Sequence, residues 1–365
     1  MKQIRETLRR LMAERKRAVL ATIIRVEGSA YRREGSRCLF TENGEIVGML
    51  SGGCVEADVR EHAEDVFATG RPKRIVYDFR SDSDDVWGMG AGCNGAITIW
   101  LELFDPVGEA DAAGRIAADF EARLSADAPF ISAMVVDSQA PYPAGYRLTA
   151  DELAASLPLA EVSIGSAELR KLTFKGVTLT AFVERIAPAP SLYIVGAGPD
   201  AMLLGRAAHA LDWKVTFIDH RTGEEQRSQL PNGSSWLQVP RGDFSGVPVH
   251  DSVYVVLMTH SIGLDIEAAR RFLFSPAAYL GILGSRRRAQ QIAEVLREEA
   301  GSIAADLSVL NKLHAPVGLD IGAQTPEEIT LSVMSELLAV RGRRSGGSLR
   351  ERLPAMERES MPAHR

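Results

Sequence analysis

Cysteine is scarce in this sequence: three residues, Cys38, Cys54 and Cys93, in a chain of 365. An odd and widely spaced set excludes a disulfide framework and points to a reducing compartment. No Cys-x-x-Cys pair occurs, nor two histidines four apart, so a structural zinc site has no ready ligands. No apolar run reaches the about 20 residues of a membrane helix. The opening Met1-Lys2-Gln3-Ile4-Arg5 leads into a charged helix instead of an apolar signal core. A net charge of −6 gives no general pull toward nucleic acid or an anionic membrane. The expectation is a cytoplasmic protein with no nucleic-acid or membrane partner. Hydrophobic residues at 45% and charged residues at 25% are ordinary for a globular chain of two or three domains.

What the chain does have is glycine in unusual company. Ser51-Gly52-Gly53-Cys54-Val55-Glu56 joins a predicted strand, Glu45 to Met49, to a predicted helix, Val55 to Thr69, closed by Gly70. Such a turn is expected to present outward backbone N–H groups that attract anions. In the first helical turn, Cys54 is expected to be favoured as a thiolate. A second glycine-wrapped thiol, Gly90-Ala91-Gly92-Cys93-Asn94-Gly95, precedes the strand Ala96 to Glu102. Inert core packing is the plain alternative for either cysteine. Cys38, in the apolar strand Arg37 to Phe40, reads as core.

Before these turns come an amphipathic helix over residues 4–15 and a strand, Ala18 to Val26. The loop Gly28-Ser29-Ala30-Tyr31-Arg32-Arg33-Glu34-Gly35 follows. Adjacent arginines between glycines suit an anionic ligand, and a solvated turn is the alternative. Asn43-Gly44 turns a hairpin. The acidic loop Arg80 to Asp85 lacks the calcium-loop spacing. Beyond Asp105 the reading is a helix Ala112 to Leu124, a strand Pro129 to Val136, weak segments over 137–172, and a hairpin about Lys175-Gly176. This middle section is expected to complete the first sheet.

Ala187-Pro188-Ala189-Pro190 reads as a stiff linker. Then Leu192 to Val195, Gly196-Ala197-Gly198-Pro199-Asp200-Ala201, an apolar-faced helix, and a strand ending at Asp219 reproduce the dinucleotide-binding order G-x-G-x-x-A, with an acid 21 residues after Gly198. Strands ending at Met258-Thr259-His260 and Leu283-Gly284-Ser285-Arg286 are expected to bring His260, Gly284, Ser285 and Arg286 to the same crevice as Gly196, Gly198 and Asp219. His260 has a structural histidine as its alternative role. Thr325-Pro326-Glu327-Glu328 is a capping box opening the last helix. The fold class is α/β: an N-terminal mixed α+β domain over 1–186, a linker over 187–190, a C-terminal Rossmann-like doubly wound parallel sheet over 191–340, and a disordered tail over 341–365.

Together these segments resemble the XdhC/CoxI family, accessory proteins of molybdenum hydroxylases such as xanthine dehydrogenase. The resemblance runs from Ile4 to about Val340. Besides the glycine turns it is carried by Met258-Thr259-His260, Leu283-Gly284-Ser285-Arg286-Arg287 and Pro316-Val317-Gly318-Leu319-Asp320-Ile321-Gly322-Ala323. Pro199 stands where many members have histidine, so no role is carried over for that side chain. The resemblance implies a homodimeric, non-catalytic chaperone that binds the molybdenum cofactor, protects it during sulfuration and inserts it into the hydroxylase apo-enzyme. A cysteine desulfurase would be a further partner. Arg32, Arg33, Ser51, Gly52, Gly53, Cys54, Glu56, Gly92, Cys93 and Asn94 would bind the cofactor, with Cys54 and Cys93 at the metal. The crevice of the second domain would hold part of the cofactor, or NAD(P) or another nucleotide. The competing expectation is an NAD(P)-dependent oxidoreductase built on Gly196, Gly198 and Asp219. A place as a component of the dehydrogenase itself is disfavoured, because no iron–sulfur cysteine pattern is present.

Overall fold

The computed structural model describes residues 1–53, 55–80, 95–138, 141–149, 152–153, 156–163, 165–221, 227–303 and 307–352. They form two compact units, Met1–Ala189 and Pro190–Arg365.

In the first unit, helix α1 (Lys2–Glu14) buries Ile4, Leu8 and Leu11 at helical spacing. It leads into β1 (Ala18–Gly28), the centre of a sheet with β2 (Arg37–Thr41), β3 (Ile46–Gly48), β4 (Lys73–Asp78) and β5 (Gly95–Phe104). The order is β3-β2-β1-β5-β4, antiparallel throughout. Alternate β1 residues feed two cores. Val19, Ala21 and Ile23 meet helix α2 (Glu56–Thr69) through Val59, Ala63 and Val66. Ala18 and Leu20 meet α1 and helix α3 (Ala110–Ser125) through Leu8, Ile116 and Phe120. Covered on both faces, β1 therefore reads as a continuous apolar run, without the alternation of a half-exposed antiparallel strand.

The middle section does not complete this sheet. Strands β6 (Phe130–Ser138), β7 (Arg147–Leu148), β8 (Ala167–Phe174) and β9 (Val177–Ile186) make their own antiparallel sheet, in the order β7-β6-β9-β8. Met134, Val136 and Phe182 pack against Ile24 and Trp100 of the first sheet. Those inward residues lie on a second layer, so no edge pairing with the first sheet is needed. Lys175 and Gly176, both at positive φ, turn the β8–β9 hairpin.

The second unit is a parallel sheet of β10 (Ser191–Val195), β11 (Lys214–Asp219), β12 (Ser235–Gln238), β13 (Val253–Leu257), β14 (Tyr279–Ile282) and β15 (Leu313–His314). Its order, β12-β11-β10-β13-β14-β15, reverses direction between β10 and β13. That reversal is the switch point at which doubly wound sheets bind ligands. Helices α4 (Pro199–Ala210), α5 (Ile262–Leu273), α6 (Arg286–Ile303) and α7 (Pro326–Arg341) complete it. The aliphatic strands bury both faces against them. Composition places residues after 340 in a tail; α7 runs to Arg341, Leu349–Arg352 makes one 3-10 turn, and 353–365 lie outside the described residues. Among the described residues, no helix is long and apolar enough to cross a membrane.

Candidate functional site

Topology brings the loop after β1, the Ser51 turn and the first residue of β5, Gly95, to one end of the first unit's sheet. The loop after β1 starts at Gly28, which pairs with Gly95 at the start of β5. A Cβ on Gly95 would sit 2.5 Å from the carbonyl oxygens of Glu27 and Ser29, so only glycine lets the chain pass there. The Arg32 guanidinium lies 5.6 Å from the Tyr31 ring centroid, with Nη2 3.5 Å from Met49 Sδ, beside the Ser51 turn. Tyr31, Arg32 and Arg33 are exposed.

The Ser51 turn is closed differently from its expected form. Glu56 folds back and accepts hydrogen bonds from Leu50 N at 3.0 Å, Ser51 N at 2.8 Å and Ser51 Oγ at 2.7 Å. Ser51 Oγ accepts from Gly53 N at 3.2 Å and Val55 N at 3.3 Å. Most amides expected to face a ligand are thus committed to the chain's own Ser51 and Glu56. Gly52 and Gly53 remain open, since a Cβ on either would meet nothing within 4 Å. Burial works to raise the Glu56 pKa, but the bonds from Ser51 and Leu50 outweigh it and hold the carboxyl below its ordinary range. Cys38 is core, its thiol pushed up to about 12 by burial and then by the nearby Glu56 charge, so it is inert at neutral pH. Cys54, Gly92, Cys93 and Asn94 lie outside the described residues.

Beneath the arginine loop lies a buried charge network that sequence reasoning does not reach. Glu184 on β9 accepts Arg37 Nη1 at 3.2 Å and Arg123 Nη2 at 2.6 Å. Arg123 on α3 also reaches Ser132 Oγ at 2.8 Å and Asp119 at 2.8 Å. Arg147 grips Glu102 with two bonds of 2.7 Å. Three arginines balance three carboxylates across both sheets. A Cβ on Gly35 would lie 2.7 Å from Glu184 Oε1, and Arg37 Nη1 holds the Gly35 carbonyl at 2.7 Å. The network therefore fixes where the arginine loop ends. Only isolated charged residues within strands, and Asp119 and Arg123 on α3, could have signalled it, and they look like edge or surface positions.

In the second unit a cavity of about 440 Å³ opens at the switch point. Gly196, Gly198, Asp219 and His260 line it together, with His220, Arg221 and Arg241. Gly196 has φ of 105°, and a Cβ there would meet Met258 O at 2.6 Å. His260, itself at φ 59°, places Nε2 3.5 Å from where a Cβ on Gly198 would lie. Its loop is braced from behind. Fully buried Asp265 accepts Thr259 Oγ1 at 2.6 Å and Arg288 Nη2 at 2.6 Å, and Arg288 Nη1 donates to His260 O at 3.1 Å. Asp219 ends β11 as expected, but Arg221 occupies both oxygens, Nε at 3.0 Å and Nη2 at 2.7 Å. Burial opposes the Asp219 charge, and the Arg221 fork overcomes it to hold the pKa low. Gly284, Ser285 and Arg286 are absent from the cavity lining; Arg286 instead opens α6 as an exposed residue.

Residues 192–337 match the XdhC Rossmann domain, and residues 11–78 match the XdhC and CoxI family. The chain is 31% identical over 346 residues to a probable xanthine dehydrogenase subunit of Bacillus subtilis (strain 168), covering 91% of this chain and 96% of that one. It belongs to the XdhC/CoxI family. The molybdenum cofactor insertion chaperone PaoD of Escherichia coli (strain K12) is 25% identical over 332 residues, 89% of this chain and 84% of PaoD. A crystal structure described as a xanthine dehydrogenase from Bacillus halodurans superposes with a TM-score of 0.70 at 30% identity, covering 94% of this chain and 98% of that one. The family and the α/β class with a Rossmann-type second unit are as the sequence motifs implied. For an XdhC/CoxI chain, the Asp265–Arg288 brace behind His260 is what those motifs did not disclose.

Proposed function

We propose that this chain is a maturation factor that binds the molybdenum cofactor and delivers it to a xanthine dehydrogenase-type hydroxylase. The observation that carries the reading is the meeting of Gly28–Gly35, the Ser51 turn and the start of β5 at one end of the first sheet. The fit to an anionic, sulfur-liganded cargo is chemical. Arg32 and Arg33 are exposed fork donors for phosphate, and Gly52 and Gly53 leave room for close approach. Cys54 follows Gly53 directly, and Cys93 lies two residues before Gly95, so both soft ligands belong to these segments. Their assigned role is to hold the molybdenum or relay sulfur, and Glu56 would keep the Ser51 turn in shape without touching the cargo. The Rossmann cavity would take a nucleotide portion. Protection during sulfuration and exchange with a cysteine desulfurase belong to the same proposal.

The deciding experiment titrates the reduced chain with isolated molybdenum cofactor, alongside NAD(H) and NADP(H). Tight cofactor binding that is lost in Cys54→Ser or Cys93→Ser supports the reading. Unchanged binding in both variants removes the thiols from it. Dinucleotide binding without cofactor binding would favour the alternative, an NAD(P)-dependent oxidoreductase. Against that alternative, Arg221 already grips the carboxylate that a ribose diol would need. Stable co-purification with the hydroxylase would instead favour a fixed component of that enzyme, as the name of the Bacillus subtilis relative suggests.

A further inference from the structure

A Rossmann turn holds a dinucleotide through backbone N–H groups at the helix start, a bare second glycine that lets the pyrophosphate come close, and an acid for the ribose diol. Each of these is altered in the crevice of the second unit. Pro199 is the first residue of α4 and has no N–H to give, and Asp200 adds a negative charge to the same turn. His260 stands over the second glycine, its Nε2 3.5 Å from where a Cβ on Gly198 would lie, in the space a pyrophosphate would use. Asp219 is buried, and Arg221 occupies both its oxygens and adds its backbone N–H at 3.0 Å. The cavity offers other donors in their place. Arg241 and His260 both line it and are exposed, and neither side chain makes a hydrogen bond or ion pair with a described residue. Among the described residues, the neutralised Asp219 is the one acid in the lining, and Val195, Ile218, Phe244, Met258 and Leu264 supply apolar walls.

We propose that this crevice is a phosphomonoester site: it takes a flat heterocycle that ends in a single phosphate, and it rejects the pyrophosphate link of a dinucleotide. A terminal phosphate is a compact group of nearly double negative charge, which suits the Arg241 fork and the ring nitrogen of His260. The apolar walls take the ring. A pyrophosphate would instead lie along the start of α4, where one donor is missing, a carboxylate opposes it and the imidazole fills its path. The ligand class rests on the reading of this cavity as a cofactor pocket, and it has two sources, a free nucleoside monophosphate or the phosphate end of the cargo.

The test is calorimetric titration of the full chain with adenosine monophosphate, cytidine monophosphate, adenosine, ADP-ribose and NADH. Both monophosphates should bind about tenfold or more tighter than adenosine and than the two pyrophosphate-linked ligands. Arg241→Ala should lower monophosphate affinity about tenfold, leave adenosine affinity as it is, and melt like the native chain, because the side chain is exposed and unpartnered among the described residues. Pro199→Ala combined with His260→Gly restores the amide and uncovers Gly198, and should raise NADH affinity about tenfold. Displacement of adenosine monophosphate by isolated molybdenum cofactor would name the cargo's own phosphate as the occupant; no displacement would name a separate mononucleotide. The proposal is overturned by NADH or ADP-ribose binding as tightly as the monophosphates, by no monophosphate binding, by Arg241→Ala binding as the native chain does, or by a double variant without gain. Any of these leaves the cofactor titration of the Cys54 and Cys93 variants to decide the chaperone reading by itself.

Discussion

Two glycine turns enter two helices in this molecule, and they are built to opposite ends. At α2 the Ser51-Gly52-Gly53 turn is sealed by its own side chains, with Glu56 and Ser51 taking the amides of Leu50, Ser51, Gly53 and Val55. At α4 the N-cap is Gly198, no side chain caps the helix, and the turn faces a cavity edged by His260 and Asp219. The same sequence signal, glycine before a helix, therefore gives a self-contained loop in one unit and an open crevice in the other. What separates them is a carboxylate one residue inside the helix start with room to fold back. Asp200, one residue further into α4, makes no corresponding bond to its turn among the described residues.

The largest break to this comparison lies beneath the first turn. Arg123→Ala would leave Glu184 with Arg37 alone and Asp119 without its guanidinium fork, so that the buried carboxylates lack one of their cations, and removing one partner of a buried pair costs about 3–5 kcal/mol. The first unit should then unfold well before the second in a denaturant titration followed by two probes. Simultaneous loss of both units would show that the network supports more than the packing of its own two sheets. Next come the glycines themselves. Gly196→Ala combines positive φ with a carbonyl 2.6 Å from the new methyl, at a cost of about 3 kcal/mol. Gly53→Ala has the same backbone strain, φ 107°, but open space, and should cost about 1–2 kcal/mol. Equal costs measured by unfolding would mean that backbone strain alone, not close approach, selects glycine at both places.

Much of this can be read from the sequence because it is local. The helix periods, the Asn43-Gly44 and Lys175-Gly176 turns, and the strand–glycine–helix–acid order at Gly196 to Asp219 each depend on residues close in the chain. The second sheet is not legible, because whether β6, β8 and β9 extend the first sheet or stack on it is decided by partners such as Trp100 and Phe182, about 80 positions apart. Strand β12 escapes sequence reading because Ser235–Gln238 is short and half polar, and β15 because it has two residues. The candidate site is legible as a set of motifs but not as geometry. Nothing local says that Glu56 turns back on its own loop or that Arg221 closes over Asp219. Those bonds are choices of rotamer, made by the surrounding fold.

The Glu56 clasp can be tested by acid. Its pKa is held below the unfolded value, about 4.3, so its contribution is present above that value and fades as pH falls through the folded one. Asp119, drawn down to about 2 because Arg123, Arg147 and Arg37 outweigh its burial, contributes in the same direction between about pH 4 and 2. The first unit should therefore lose stability steeply on acidification below about pH 4. Glu56→Gln should remove part of that slope and cost about 1–2 kcal/mol at neutral pH, a figure kept low because the group is only partly buried. An unchanged acid profile in Glu56→Gln would mean that the turn is held by the backbone alone, and that its amides are available after all.

A third helix start calibrates the other two. At α7, Thr325 Oγ1 accepts Glu328 N at 3.2 Å, while Glu328 accepts Gln324 N at 2.7 Å and Thr325 N at 3.0 Å. Here side chains seal the end as at α2, but with the reciprocal capping box that the sequence announced. Its exposure makes it the weaker of the two seals. Thr325→Ala should lower the melting temperature of the second unit by about 2–4 °C, whereas Thr325→Ser should leave it nearly unchanged. A fall as large as that from Glu56→Gln would mean that sealing a helix start has the same worth wherever it occurs. A smaller fall assigns the excess at Glu56 to the loop it closes, which is the segment that leads to Cys54.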